Sequence, residues 1–286
     1  MNAIFWGRST CDFTYRLNGF PEENNKVFAS DFIIQPGGPA LNAAFTFSKY
    51  NGSAYLISGI GNNNFGKSVK DILSLNNIKI FDNSDDNFEI PISTVFINSK
   101  SSTRTIINSP FIKQGENFTK EKICGTIENL KPDLILIDGY GLENAAEVFE
   151  YAKIKKIKIV LDGGSWKENS NEYLKYVDIA ICSGKFRMPG LSLDETISFL
   201  HEIGIKYVAF TNEQNPIISS INNKKELIPV NKIKTVDTLG AGDVMHGSFC
   251  YHYLKNKNFN LSLKKAAVDA SNSCRYFGTH TWWDYK

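Results

Sequence analysis

The 286-residue sequence contains few cysteines and lacks long apolar runs, and both features narrow the class of protein. Its five cysteines, Cys11, Cys124, Cys182, Cys250 and Cys274, are scattered without C-x-x-C spacing, which argues against a zinc site or a disulfide framework. No stretch approaches the roughly 18 consecutive apolar residues of a membrane span. The first residues do not resemble a signal peptide. We therefore expect a cytoplasmic protein with reduced thiols and no membrane partner.

An excess of charge of one sign is also missing, because 32 Lys and Arg residues face 30 Asp and Glu residues. This near balance gives no electrostatic case for a nucleic-acid partner. Hydrophobic residues make up 42% of the chain and charged residues 22%, which is ordinary for a globular protein with a sizeable core. The length allows one large α/β domain or two small ones.

Helical segments alternate with short apolar strands through the second half of the chain. The predicted elements of this region include 119–130, 134–137, 142–155 and 157–161. Continuous apolar strands bounded by helices are typical of a parallel sheet covered on both faces. Asp138 and Asp162 end two of these strands at the same edge, so each is expected either to line a crevice there or to cap the next helix.

Two segments, 13–35 and 90–111, are predicted to contain pairs of strands with no helix between them. We interpret them as one small antiparallel sheet. Residues 1–12, 36–89 and 112–286 then form the α/β domain. The apolar face of such a small sheet needs a partner.

The most informative stretch is T-V-D-T-L-G-A-G-D at 235–243. Its pattern predicts a strand ending near Val236, a turn at 240–242 and a helix that opens at Asp243. A glycine-rich turn that feeds a helix leaves backbone amides unpaired and adds partial positive charge, which suits a phosphate or a developing anion. A carboxylate at this position could accept the proton of a substrate hydroxyl. The alternative is an ordinary N-capping aspartate.

Three motifs resemble those of one family. D-T-L-G-A-G-D at 237–243 looks like the C-terminal signature of the PfkB (ribokinase-like) family of sugar and nucleoside kinases. G-G-P-A-L-N-A-A at 37–44 is similar to that family's G-G-x-x-x-N-x-A segment, and G-I-G-N-N-N-F-G at 59–66 to its G-x-x-G-x-D-x-x-G element. The matches follow the family order across nearly the whole chain.

The resemblance implies a ribokinase-like three-layer α/β sandwich with a mainly parallel central sheet and a small antiparallel β-sheet lid over the active site. In some relatives such lids pair between subunits, so the resemblance also implies a homodimer formed through the lid. The implied activity is an ATP-dependent kinase that phosphorylates a hydroxymethyl group of a sugar or sugar derivative.

The resemblance also assigns roles to individual residues. Asp243 would be the general base, and the amides of Gly240, Ala241 and Gly242 would form the anion hole. The substrate would be held by Asp12, Gly38, Asn42 and Arg104, of which Arg104 could also reach an anionic substituent or a phosphate. The nucleotide would be bound by Thr211, Thr238, Gly240, Gly242 and Ala270. Mg²⁺ would bridge the phosphates largely through water, and Asp237 would mark a monovalent-cation site for K⁺ in the members that have one.

His246 lies three residues after Asp243, on the same helical face. A general-acid role is one hypothesis for this histidine, but packing within the helix region or a hydrogen bond to substrate is the favoured one.

Two other functions stay open beside the sugar kinase. Ser183 and Phe186 stand where many members carry N-x-x-E, and Glu213 and Pro216 replace glycines of the family's T-x-G-x-x-G segment. These replacements favour a non-catalytic paralogue that binds a sugar or nucleotide as a sensor. The intact Asp243 and its glycine turn favour the kinase. A nucleoside kinase is a further enzymatic alternative.

Overall fold

The structure is a computed structural model that describes residues 1–110, 119–142 and 145–285. Its strands are β1 (Asn2–Trp6), β2 (Thr10–Leu17), β3 (Asp31–Gly37), β4 (Ser53–Ser58), β5 (Lys79–Asp82), β6 (Ile92–Asn98), β7 (Arg104–Asn108), β8 (Leu134–Ile137), β9 (Lys158–Gly163), β10 (Ile179–Ser183), β11 (Tyr207–Asn212), β12 (Asn215–Ile221) and β13 (Lys224–Ile228). Its helices are α1 (Pro39–Lys49), α2 (Asn64–Leu75), α3 (Lys120–Leu130), α4 (Ala146–Ile154), α5 (Ser170–Leu174), α6 (Leu193–Glu202), α7 (Ala241–Asn256) and α8 (Phe259–Ser273), with a 3-10 helix at Thr281–Tyr285. Within these described ranges, none of the helices combines the length and hydropathy needed to cross a membrane.

The large sheet has nine strands in the order β13-β12-β11-β10-β9-β8-β1-β4-β5. All neighbours from β11 to β5 are parallel, whereas β12 and β13 extend the sheet as antiparallel strands. The predicted mainly parallel sheet is therefore confirmed. Parallel strands bring their carboxyl ends to one edge, which is where open α/β sheets bind ligands.

Two separate cores cover the two faces of this sheet. Successive side chains of a strand point to opposite faces, so Phe5 of β1 joins one core and its neighbour Ile4 joins the other. The first core also contains residues of α1, α7 and α8, and the second contains residues of α3, α4, α5 and α6. This helix–sheet–helix arrangement is the predicted three-layer sandwich.

The second sheet has four strands in the order β3-β2-β6-β7. The predicted small separate sheet is confirmed, but it is mixed and not wholly antiparallel. β2 and β3, like β6 and β7, are joined locally and pair antiparallel, whereas the central strands β2 and β6 pair parallel. These two strands come from different parts of the chain, so no short hairpin fixes their relative direction.

Some element bounds differ from the prediction. The predicted strand ending near Val236 does not form, because this segment is irregular and the Val236 amide donates to the carbonyl of Cys274 instead of a neighbouring strand. α7 begins two residues before Asp243. β2 begins at Thr10, so Asp12 lies within the small sheet. The predicted lid boundary at 111 and 112, and residues 143 and 144 of the predicted helix 142–155, lie outside the described residues.

Candidate active site

The start of α7 presents unpaired amides to an open space. Gly240 is its N-cap, with a φ of 69° in the left-handed region that favours glycine. None of the described residues accepts a hydrogen bond from the amides of Gly242 and Asp243. A Cβ placed on Gly242 would meet no atom within 4 Å. The turn therefore leaves donors and room for a ligand at the positive end of a 16-residue helix.

Asp243 lies beside this space and is bound to α1. The side-chain amide of Asn42 donates to Oδ2 of Asp243 over 2.7 Å. Burial and, next, the negative charge of Asp162 raise the pKa of Asp243 to about 7, against the lowering effects of the Asn42 hydrogen bond and the positive charges of His246 and Arg104. The carboxylate thus exchanges its proton near neutrality, which suits a general base.

Asn42 is held by a residue from the end of the chain. Nε2 of His280 is 2.8 Å from Oδ1 of Asn42, and the His280 ring stacks on Phe45 with 3.9 Å between centroids. Burial, and then the charge of Lys49, lower the pKa of His280 to about 3, so the ring is neutral and donates from Nε2. This bond orients the amide nitrogen of Asn42 toward Asp243. The sequence patterns did not indicate His280, since no motif connects positions 42 and 280.

Gly37 and Gly38 pack closely against Asp12 and lead into the start of α1. Gly38 is the N-cap of α1 with a φ of 100°, and a Cβ on it would lie 2.3 Å from the carbonyl oxygen of Arg8. A Cβ on Gly37 would lie 2.1 Å from the Asp12 carboxylate. Asp12 accepts a hydrogen bond from Thr10 over 2.6 Å, and burial raises its pKa. The structure therefore brings together three of the predicted substrate residues. Asp12 on β2 lies against Gly37, Gly38 is the N-cap of α1, and Asn42 lies in the first turn of α1.

Asp138 joins three backbone segments. Its carboxylate accepts from the amides of Arg8 and Ala40 at 2.9 and 3.2 Å and from that of Tyr140 at 2.9 Å. Burial raises its pKa to about 6. Of the two predicted roles, Asp138 performs the capping one, although the helix it caps is α1 and not the next helix along the chain.

The small sheet contacts the segment that precedes α7. Arg104 of β7 donates from Nη1 to the carbonyl oxygen and the hydroxyl of Thr238 at 3.1 and 2.7 Å. Ser102 donates to the carbonyl oxygen of Thr235 over 2.7 Å. The predicted substrate residue Arg104 and the predicted nucleotide residue Thr238 are thus direct partners at the edge of the site.

Asp237 connects the same segment to the C-terminal tail. Its Oδ1 accepts from the amide of Leu239 over 2.7 Å and its Oδ2 from that of Gly278 over 3.0 Å. Burial raises its pKa, and these two amides oppose the shift. Among the described residues each carboxylate oxygen accepts this one hydrogen bond, and the assignment of Asp237 to a monovalent-cation site stays a prediction.

Thr211 and Ala270 make their hydrogen bonds away from Asp243. The Thr211 hydroxyl donates to the carbonyl oxygen of Cys182 over 3.4 Å, and the Ala270 carbonyl oxygen accepts from Ser273 and Cys274 within α8. Their assignment to the nucleotide stays a prediction. Glu213 occupies the turn between β11 and β12 with a φ of 50° and an exposed side chain.

Comparison with known proteins agrees with this architecture. The family model described as "pfkB family carbohydrate kinase" matches residues 3–284. A ribokinase of Lactococcus lactis is 25% identical over 288 residues, which cover 95% of this chain and 90% of the relative.

Solved structures show the same fold. A putative ribokinase from Agrobacterium tumefaciens superposes with a TM-score of 0.86 at 20% identity, with 98% of this chain and 93% of the other covered. An Arabidopsis thaliana ribokinase complexed with ribose and ATP gives a TM-score of 0.77 at 18% identity, with coverages of 98% and 94%. The family match spans nearly the whole chain and the fold agrees with it, so this chain belongs to the pfkB family of carbohydrate kinases.

Proposed function

We propose that the protein transfers the γ-phosphoryl group of ATP to a hydroxymethyl group of a sugar or sugar derivative, with Asp243 as the general base. The observation that carries this proposal is the start of α7, where a carboxylate with a pKa of about 7 adjoins two unpaired amides. Phosphoryl transfer asks a protein mainly for positioning and electrostatic stabilisation, and this turn offers both.

The carboxylate and the amides have complementary tasks in this mechanism. Asp243 accepts the proton as the substrate hydroxyl attacks the γ-phosphorus. The amides of Gly242 and Asp243, with that of Gly240 beside them, stabilise the charge on the transferred group. Because these donors are fixed by the helix before substrate binds, they require no rearrangement in the transition state. The predicted Ala241 amide could join them only after releasing the carbonyl oxygen of Thr238, to which it donates over 3.4 Å.

The donor set around the site fits Mg²⁺ held through phosphate and water. Within the described residues there is no group of three or more His, Cys, Asp or Glu side chains that could hold a metal ion. Mg²⁺ strongly prefers oxygen ligands, keeps several waters and binds through substrate phosphates. Its contribution would be to neutralise charge on the ATP phosphates. Thr211, Thr238 and Ala270 are the proposed nucleotide contacts, and Asp237 the proposed K⁺ contact.

The sugar is proposed to lie against Asp12, Gly38 and Asn42. The named activity of the Lactococcus lactis relative and the ribose in the Arabidopsis thaliana structure support a pentose or a sugar of similar size. The Asn42 side chain donates one N–H to Asp243 and accepts one hydrogen bond from His280. Its second N–H and the second lone pair of its oxygen are then left for a hydroxyl of the sugar. Arg104 is proposed to contact a phosphate or an anionic substituent once its hydrogen bonds to Thr238 open.

We also propose a homodimer through the exposed apolar face of the small sheet. One face of the sheet contributes the exposed side chains of Phe32, Ile34 and Ile107, and the loop between β2 and β3 adds Phe20, Val27 and Phe28. Such a patch on a small sheet marks an interaction surface.

The test is ADP release from Mg-ATP with a panel of pentoses, hexoses, sugar acids and nucleosides, using the wild-type protein and Asp243→Asn. We expect one sugar class to support turnover and the variant to lose about 10²–10⁴-fold in kcat, with sugar and ATP binding by calorimetry retained. Asp194→Asn, an exposed carboxylate paired with Lys225, is the matched control and should behave as wild type. Sugar or nucleotide binding without any turnover in the wild type would establish the sensor instead, and turnover with nucleosides alone the nucleoside kinase.

A further inference from the structure

We propose that Asp162 and His246 are positioning residues. Together they hold the peptide that joins Gly242 to Asp243, and their opposite charges act on the Asp243 carboxylate. The proposal rests on the proposed role of Asp243 as the general base. Both side chains are buried, so both act on the reaction through their neighbours.

The His246 ring is held between two backbone carbonyls. Nδ1 lies 2.7 Å from the carbonyl oxygen of Gly242, and Nε2 lies 3.0 Å from that of Ile181 in β10. A carbonyl oxygen only accepts hydrogen bonds, so both nitrogens must donate, and both can do so only when the ring carries two protons. The geometry therefore assigns an imidazolium to position 246.

Asp162 supplies the opposite charge. Its Oδ2 is 3.3 Å from Nδ1 of His246, and their side chains are 8% and 6% exposed. This oxygen accepts no hydrogen bond from the described residues, because the Nδ1 proton points to the Gly242 carbonyl. A buried carboxylate with an oxygen that accepts no hydrogen bond needs a nearby cation to remain charged. Burial raises the pKa of Asp162, and the charges of His246 and then Lys167 oppose that shift.

The first consequence is geometric. The Gly242 carbonyl that His246 binds belongs to the same planar peptide as the amide of Asp243. Fixing the carbonyl oxygen therefore fixes the direction of the N–H on the other side of the peptide. That N–H is one of the two unpaired donors at the start of α7. By holding the Gly242 carbonyl, His246 therefore orients one amide of the proposed anion hole.

The second consequence is electrostatic. The charged groups that act on Asp243 are Asp162 from β9, His246 from its own helix and Arg104 from the small sheet, while α1 contributes the neutral Asn42. The charge of Asp162 raises the pKa of Asp243, and the charge of His246 lowers it. Removing either partner should therefore move the titration of the base, and the two removals should move it in opposite directions.

The experiment compares the pH dependence of kcat/KM in the wild type, Asp162→Asn, His246→Gln and the double variant, with the sugar found for the wild type. The base works when deprotonated, so activity falls as the pH falls through the pKa of Asp243. We describe the acid limb of each profile by the pH at which kcat/KM is half of its maximum. This pH should fall by about one unit in Asp162→Asn and rise by about one unit in His246→Gln. The double variant, which removes one charge of each sign, should return the limb close to its wild-type position. Titration of ATP is common to all variants and does not affect the differences.

Two further measurements separate this role from a structural one. His201→Gln is the control, because His201 also uses both ring nitrogens, on Ile205 and Ser220, but lies in α6 on the other face of the sheet. Its profile should match the wild type. Nitrogen-detected NMR of the wild-type protein at pH 7.5 should show both His246 ring nitrogens protonated, and this readout does not depend on a variant that folds.

Acid limbs that do not move, or that move in the same direction in both single variants, would overturn the proposal, as would a neutral His246 ring in the NMR spectrum. If Asp243→Asn keeps wild-type turnover, the assignment of the base fails first. If Asp243→Asn is inactive but the limbs stay fixed, only the role of Asp162 and His246 fails.

Discussion

Alanine at Gly242 and at Gly240 should separate the chemical role of the turn from its structural role. The two glycines are neighbours in the G-A-G motif, yet the structure places them in opposite surroundings. A Cβ on Gly242 would enter open space, whereas a Cβ on Gly240 would lie 2.2 Å from Cγ2 of Thr279. Gly240 also has a φ of 69°, and Gly242 has no such requirement.

The expected effects follow from these surroundings. Gly240→Ala combines left-handed backbone strain of ~1–2 kcal/mol with overpacking of ~1–3 kcal/mol, which should lower the free energy of unfolding by about 2–5 kcal/mol and Tm by roughly 5–15 °C. Gly242→Ala should leave Tm unchanged or raise it, because alanine is the better helix former by up to about 1 kcal/mol. Its methyl group would enter the space proposed for the phosphoryl group, and a displacement of ~1 Å there costs about 10²-fold in rate.

The assay is thermal unfolding together with kcat/KM for each variant. Gly125→Ala is the matched control, since Gly125 lies in α3 and its Cβ would also meet no atom within 4 Å. It should gain stability and keep full activity. Full activity in Gly242→Ala would refute the reasoning, because the space beside the unpaired amides would then not be the one the phosphoryl group needs.

Three further predictions concern the support of Asp243, the exposed face of the small sheet and the proposed cation site. His280→Phe keeps a ring to stack on Phe45 but removes the donor to Asn42, so kcat/KM should fall about 2–10-fold with little change in Tm; an unchanged rate would deny His280 a positioning role. Ile107→Asp puts a charge on the exposed face of the small sheet and should convert the proposed dimer to a monomer in sedimentation velocity; a wild-type monomer would refute the dimer. Wild-type turnover should drop when K⁺ is replaced by Li⁺, and Asp237→Asn should lose this dependence; equal cation dependence in both would exclude Asp237.

The parts of the molecule that sequence could predict are those fixed by local chemistry. Apolar runs between helical segments indicated the parallel sheet, since burial on both faces requires such runs. The G-A-G-D turn indicated the start of α7 to within two residues, because glycine conformation and helix ends are local properties. The prediction of a strand near Val236 was wrong because strand formation also depends on contacts with distant parts of the chain. The β-branched residues of this segment suit a strand, but a strand also needs a neighbour, and the Val236 amide finds the carbonyl of Cys274 instead.

The connections among site residues could not be predicted, because they join distant parts of the chain. Asn42 meets Asp243 and His280 across 201 and 238 positions of the sequence. Arg104 meets Thr238 across 134 positions. Each side chain has several chemically reasonable partners, and only the fold selects among them. The sequence therefore indicated Asn42 as a substrate contact, whereas the structure gives half of the hydrogen-bonding capacity of its side chain to Asp243 and His280.

The replacement of N-x-x-E by S-x-x-F has a packing explanation with a consequence for the proposed mechanism. Phe186 is fully buried, and its ring lies 5.3 Å from that of Trp166, which follows β9. The side chain at this position therefore belongs to the core and carries no charge toward the nucleotide. The family resemblance implies that the glutamate of N-x-x-E helps to organise Mg²⁺ and the phosphates, and Phe186 takes its place in this chain. Charge neutralisation at the proposed ATP site then depends more heavily on the amides at the start of α7, which is why Gly242 is the position where a single methyl group should be most damaging.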